Sequence, residues 1–239
     1  METLTESAMR RPLAALWIAL AAAAAPASAD PVVVELYTSQ GCSSCPPADA
    51  LLHDLAKYDD VIPLALHVDY WDFIGWPDSF AQPAFGARQK AYARVNKSRT
   101  VFTPHMVVGG VDHIIGAEAM ALMDRVQAHA EASKPVRLSL ASTADGPVIM
   151  AQSEMAFETP VDLILVSYTA SETVDIRHGE NAGRVLTYTN IVRAWEPLGN
   201  WDGAEAINLP LPDPVEGQHR VVLAQAAGPG AILAALRLD

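Results

Sequence analysis

Two cysteines, the only ones in the chain, stand close together in Cys42-Ser43-Ser44-Cys45. A β-branched run, Val32-Val33-Val34-Glu35-Leu36-Tyr37, ends just before them. A segment with Ala48, Leu51, Leu52 and Leu55 on one helical face follows them directly. Pro46 and Pro47 fall in the first turn of that helix, where a missing N–H costs nothing because it has no partner inside the helix. The pair is therefore expected at a helix N-terminus. There the helix dipole and free N–H groups favour a thiolate over a thiol. Cys42, first and expected to be accessible, is the candidate nucleophile, and Cys45 is the resolving thiol. Ser43 and Ser44 can offer hydroxyl hydrogen bonds to the sulfur.

The competing reading is a stapling disulfide. The ring it closes is so short that chain entropy gives it about 2 kcal/mol at best, before strain is subtracted. Zinc would need two further ligands, and His53, His67, His105 and His113 lie at no second paired spacing. No metal and no cofactor is called for. A net charge of −12 opposes binding to phosphate backbones and anionic lipid. Neither nucleic acid nor a membrane surface is an expected partner.

Residues 1–29 read as a secretory signal: Arg10 and Arg11, an apolar run from Leu13 to Ala25, then Ala27-Ser28-Ala29 in the small-x-small cleavage pattern, with Met9 as an alternative start. The apolar run is well short of the roughly 20 residues that cross a bilayer as a helix. The expected location is periplasmic or secreted, where neighbouring cysteines are oxidised.

The pattern changes at Ser133-Lys134-Pro135. Before it, strand-like and helix-like runs alternate, with a long aromatic segment at 69–103 holding Tyr70, Trp71, Phe73, Trp76, Phe80 and Phe85. Those aromatics suit either a substrate-facing wall or a helical cap with its own small core. Asp69 and Asp72 are candidate proton-transfer carboxylates or ordinary turn acids. After Pro135, short strand-like runs are separated by Gly, Pro, Asn and Asp, as in an antiparallel sandwich. Asp162, Asp175, His178 and Glu180 there form no catalytic set, so partner binding or dimerisation is the expected job, with oligomeric state left open.

The stretch from Glu35 through Cys42-Ser43-Ser44-Cys45-Pro46-Pro47 to Asp49 is similar to the signature of an exported bacterial family catalogued as domain of unknown function 1223. His67-Val68-Asp69-Tyr70-Trp71-Asp72 and Gly179-Glu180-Asn181-Ala182-Gly183 also fit that family. The first part, from about residue 31 to 133, resembles a thioredoxin fold, with Thr103-Pro104 at the place of its cis-proline and substrate-pairing edge; a trans proline at an edge strand is the plainer alternative. The Trp before the first cysteine and the Gly-Pro between the pair, which thioredoxin has, are absent.

The resemblance implies an α/β thioredoxin-like domain (30–133, helical insertion 69–103) followed by an antiparallel β-sandwich-like domain (134–239). The leading functional expectation is a thiol-disulfide oxidoreductase, acting through Cys42 and Cys45 on thiols and disulfides of other periplasmic proteins. The alternatives are a protein holding copper(I) between the two thiolates with His105 or Met106, and a binding module with a structural disulfide.

Overall fold

The computed structural model describes residues 30–238; the expected signal, 1–29, lies outside them. The β-branched run becomes β1 (Val32–Thr38), buried at every position. It is followed by α1 (Pro46–Leu55), β2 (Val61–His67), a short 3₁₀ turn (Asp72–Ile74) and α2 (Pro83–Val95). The hairpin β3 (His105–Val108) and β4 (Asp112–Ile115) and the helix α3 (Ala119–Glu131) come next. Seven strands complete the chain: β5 (Val136–Thr143), β6 (Gly146–Ser153), β7 (Val161–Ile176), β8 (Arg184–Trp201), β9 (Ile207–Pro210), β10 (His219–Ala226) and β11 (Ile232–Arg237).

Eight of these strands form one mixed sheet in the order β11-β10-β7-β8-β2-β1-β3-β4. β1 runs parallel to β2 from Val32↔Val61 to Thr38↔His67 and antiparallel to β3. Helices α1 and α3 cover one face of β1, packing Leu52, Leu55, Leu122 and Val126 against Val32, Val34 and Leu36. The other face holds Val33 and Tyr37 in a core with Phe85 and Tyr92 of α2. With both faces covered, β1 and β2 need continuous apolar runs rather than alternation.

This corrects the expected architecture. A thioredoxin-like α/β domain with a helical insertion, closed before a separate sandwich, is not what the chain forms. Strands dominate, with eleven against three α-helices among the described residues. The outer edge of β2 is also not free: β8 pairs with it in parallel at Ala65↔Ile191, which joins both halves in a single sheet. The physical reason is edge completion, because an open strand edge presents unpaired N–H and C=O groups that a further strand satisfies. The three-stranded sheet β5-β6-β9 lies on this large sheet, with Val136, Leu138, Ile149 and Ala151 packed against Leu163, Leu165, Val222 and Ala224.

β7 and β8 are paired over almost their whole length, from Val161↔Trp201 to Ile176↔Arg184. β10 accompanies β7 only as far as Tyr168. Beyond that point β7 and β8 continue as a two-stranded arm, and the arm's turn reaches back over the end of β1.

Candidate functional site

Cys42 and Cys45 form a disulfide, with Cα atoms 5.4 Å apart, where β1 gives way to α1. Cys45 is the N-cap of α1, and its carbonyl accepts from the amides of Ala48 and Asp49. Ser44 Oγ lies 3.4 Å from Cys42 Sγ and donates at 3.5 Å to the carbonyl of Thr103. The Thr103–Pro104 bond is cis. Thr103 Oγ1 in turn accepts from Trp71 Nε1 at 2.8 Å. The cysteine pair, the residues ahead of β3 and the aromatic segment thus meet at one end of the sheet.

Both cysteines are fully buried at 0% exposure, whereas Ser43 and Ser44 between them are exposed. Cys42 is therefore not the open thiol that its position in the pair suggests. The turn of the β7–β8 arm covers it. Asn181 Nδ2 donates at 2.9 Å to the carbonyls of both Gln40 and Cys42, and Arg184 holds its Oδ1 at 3.0 Å. Glu180 accepts from the amide of Ser43 at 3.2 Å. Gly179 sits at φ +77°, and a Cβ there would stand 3.3 Å from both Ile74 Cδ1 and Trp76 Cβ, so the turn fits closely against the 3₁₀ segment. Trp76 is anchored in turn by a 2.8 Å bond to Gln40 Oε1.

Beneath the pair lies a buried polar cluster. Asp78 accepts from the amides of Gln40 and Phe80 and faces His67 Nδ1 at 2.7 Å. Burial works against its charge, but His67 and these hydrogen bonds outweigh it and hold the carboxyl below its usual range. An ionised carboxylate only accepts, so His67 Nδ1 carries the hydrogen. Asp49, one turn along α1 from Cys45, accepts from Thr38 Oγ1 at 2.8 Å. Burial pushes its carboxyl up to about 7, with His67 pulling the other way. Asp49 Oδ2, His67 Nε2 and Tyr188 Oη have no hydrogen-bond partner, and the rings of His67 and Tyr188 are 4.9 Å apart. Asp49 is thus the buried acid poised to titrate near neutrality.

Asp69 and Asp72 do not fill that role. Asp72 Oδ1 accepts from the amide of Asp78, a turn contact, and Asp69 Oδ1 lies against Gly86. The aromatic segment divides: Phe80 and Phe85 are core, Trp71 and Trp76 brace the site, and Phe73 is 83% exposed. The copper ligand set does not assemble. His105 is turned to Gln89 and His113, through Nδ1 and Nε2 respectively, and Met106 packs in the core under α1. His53 bonds Thr189, Asp162 bonds Asn200, and Asp175 pairs with Arg177. His178 faces Trp76.

A second buried network lies on the opposite face of β1. Glu35, at 0% exposure, accepts two bonds of 2.8 Å from Arg88, one from Tyr92 and one from Tyr37. Burial raises its carboxyl, but Arg88 and the two phenols outweigh that and hold it below the usual range. Sequence reasoning passed over Glu35, Asp49 and Asn181 as participants. The signal available was polar character inside otherwise apolar or turn-rich stretches.

Fold and site together define a mixed-sheet protein with a capped C-x-x-C disulfide at a helix N-terminus. The model of the family described as protein of unknown function, DUF1223, matches residues 33–225, so the chain belongs to that family. A crystal structure of a protein from Agrobacterium tumefaciens is 33% identical, with a TM-score of 0.75, over 88% of this chain and 95% of that one. HBP35 of Porphyromonas gingivalis shares the fold at 14% identity and a TM-score of 0.56, over 87% of this chain and 74% of that one. No curated protein matches. The three stretches that carried the family resemblance, around Cys42, Trp71 and Asn181, are those that converge on the disulfide.

Proposed function

We propose that this is an exported thiol-disulfide exchange protein that acts on cysteines of other proteins through Cys42 and Cys45. The observation that carries the reading is the disulfide's place: its ring is too short to be explained by chain entropy, and it occupies a helix N-terminus where a thiolate is favoured. Export is inferred from residues 1–29, and oxidation of the pair agrees with a periplasmic or secreted setting. No helix among the described residues is long and apolar enough to cross a membrane.

In the reducing direction, the Cys42 thiolate attacks a partner's disulfide. A mixed disulfide forms and one partner sulfur leaves as thiolate. The Cys45 thiol gives its proton to the Asp49 carboxylate, and the resulting thiolate attacks Cys42 Sγ. That step closes the Cys42–Cys45 bond and releases the second partner sulfur. The partner has gained two electrons and the protein dithiol has lost two; the oxidising direction is the reverse. Thr103 and Pro104, linked to Cys42 through Ser44 Oγ, form the edge for an extended partner segment. The turn bearing Asn181 has to withdraw before a partner reaches Cys42.

The test is trapping. Reduced Cys45→Ser keeps the nucleophile without the resolving thiol and is expected to accumulate mixed disulfides with periplasmic proteins, while Cys42→Ser accumulates far fewer. Equal trapping by both variants, or by neither, overturns the assignment.

A further inference from the structure

For a chain of net charge −12, residues 79–111 are exceptional: they hold five basic side chains and no acidic one. Arg88 of the five is largely buried and paired with Glu35. Lys90, Arg94, Lys97 and Arg99 are exposed, and among the described residues none has a carboxylate within ion-pair distance. Three of them, Lys90, Arg94 and Arg99, line one surface cavity of about 300 Å³. It shares Ala93, Ser98, Thr100 and Val101 with a second cavity of about 210 Å³, whose further wall is Phe102, His105 and His113. Lys97 occupies a left-handed position, φ +54°, just past the end of α2, where glycine is the less strained residue.

The trough therefore begins among unpaired cations and ends beside Phe102, one residue from the Thr103 carbonyl that Ser44 Oγ links to Cys42. Its inner wall has a defined polarity. The carbonyl of Phe102 accepts from Gln89 Nε2 at 2.7 Å, which fixes the amide with nitrogen towards His105 Nδ1. His105 Nδ1 is then the acceptor, its Nε2–H donates to His113 Nδ1 at 2.9 Å, and His113 Nε2 carries a hydrogen. The wall adds a donor to the cations and no carboxylate.

We propose that this trough is the docking surface for an acidic segment of a protein partner, which it steers towards the cysteine pair. The inference deepens the exchange reading by naming the partner's chemistry, and the occupant follows from charge complementarity. An isolated cationic patch on an acidic body attracts acidic chain locally while the rest of the surface repels it.

The experiment uses the oxidised mature protein, so that no exchange enters the result, and a fluorescent 12-residue peptide of alternating Glu and Ser, read by anisotropy. Binding is expected in low salt. Replacement of Lys90, Arg94, Lys97 and Arg99 together by Gln is expected to weaken it at least ~10-fold, with the difference lost at about 0.5 M salt, where screening reaches only a few ångströms. Circular dichroism and a thermal melt check that the variant is folded. No binding of the acidic peptide, equal binding by the variant, or tighter charge-dependent binding to vesicles containing phosphatidylglycerol overturns the proposal. Exchange with a small neutral disulfide, measured on the reduced protein, is expected to be unchanged in the variant. Failure of that exchange in the parent protein counts against the cysteine reading and leaves the peptide result to decide the docking surface.

Discussion

Replacing Asp49 with Asn removes one buried titration from beneath the disulfide. In the unfolded chain an aspartate titrates near 3.9, whereas burial puts Asp49 at about 7 in the folded protein. The folded state binds this proton more tightly, so the side chain's contribution is fully present at low pH and is lost as pH rises from about 4 through about 7. Three units at 1.36 kcal/mol each set a ceiling of about 4 kcal/mol on that loss. Asn mimics the protonated acid at every pH and still presents an oxygen to Thr38 Oγ1. The variant is expected to match the parent near pH 3, below the unfolded value, and to be more stable at pH 8 by up to that ceiling. Urea unfolding of the oxidised protein at both pH values, with and without the substitution, isolates the group from the titration of neighbouring Asp78. Identical pH slopes in the two proteins refute the reasoning.

Three further outcomes follow from the same contacts. Asn181→Ala leaves the buried Gln40 carbonyl without its donor and the Cys42 carbonyl with only the Cys45 amide, which costs about 1 to 3 kcal/mol; it is also expected to speed reduction of the disulfide by dithiothreitol, read by thiol labelling, and an unchanged rate contradicts the capping role of the turn. Glu35→Ala strands the Arg88 guanidinium among buried groups and is expected to destabilise the fold by about 3 to 5 kcal/mol in chemical denaturation, with a loss below 1 kcal/mol contradicting the account. Gly110→Ala places a Cβ 2.3 Å from the carbonyl oxygen of Gly230 at φ +79°; because backbone has to give way there, a fall in melting temperature is expected and an unchanged one counts against the packing.

Much of the local structure was legible in the sequence. The β-branched run gave β1, and the two prolines with the leucine spacing gave α1. What failed was the assembly of the sheet. The single parallel contact Ala65↔Ile191 that merges the two halves has no periodicity to announce it. β7 reads as two strands because Ala170-Ser171-Glu172 interrupts its apolar pattern, yet it runs unbroken from Val161 to Ile176 since β8 pairs alongside. β11 carries no alternating signal, because Ile232-Leu233-Ala234-Ala235-Leu236 has both faces covered.

At the site, the cysteine pair and Pro104 were visible from spacing and flanking elements. Asp49 was not, because an acid in the first turn of a helix is ordinarily a solvated residue favoured by the dipole. The arm that buries Cys42 comes from residues more than 130 positions away, a separation that local reading does not span. The cationic stretch at 88–99 was hidden by the net charge, which averages over the whole chain.

The central claim is that Cys42–Cys45 exchanges rather than staples. Equilibrating the pure protein, residues 30–239, with a graded series of reduced and oxidised glutathione, and counting free thiols after acid quench, measures it directly. A reduction potential within the range of known exchange proteins, between roughly −120 and −270 mV, is the predicted result. A value below about −300 mV, where structural disulfides lie, contradicts it.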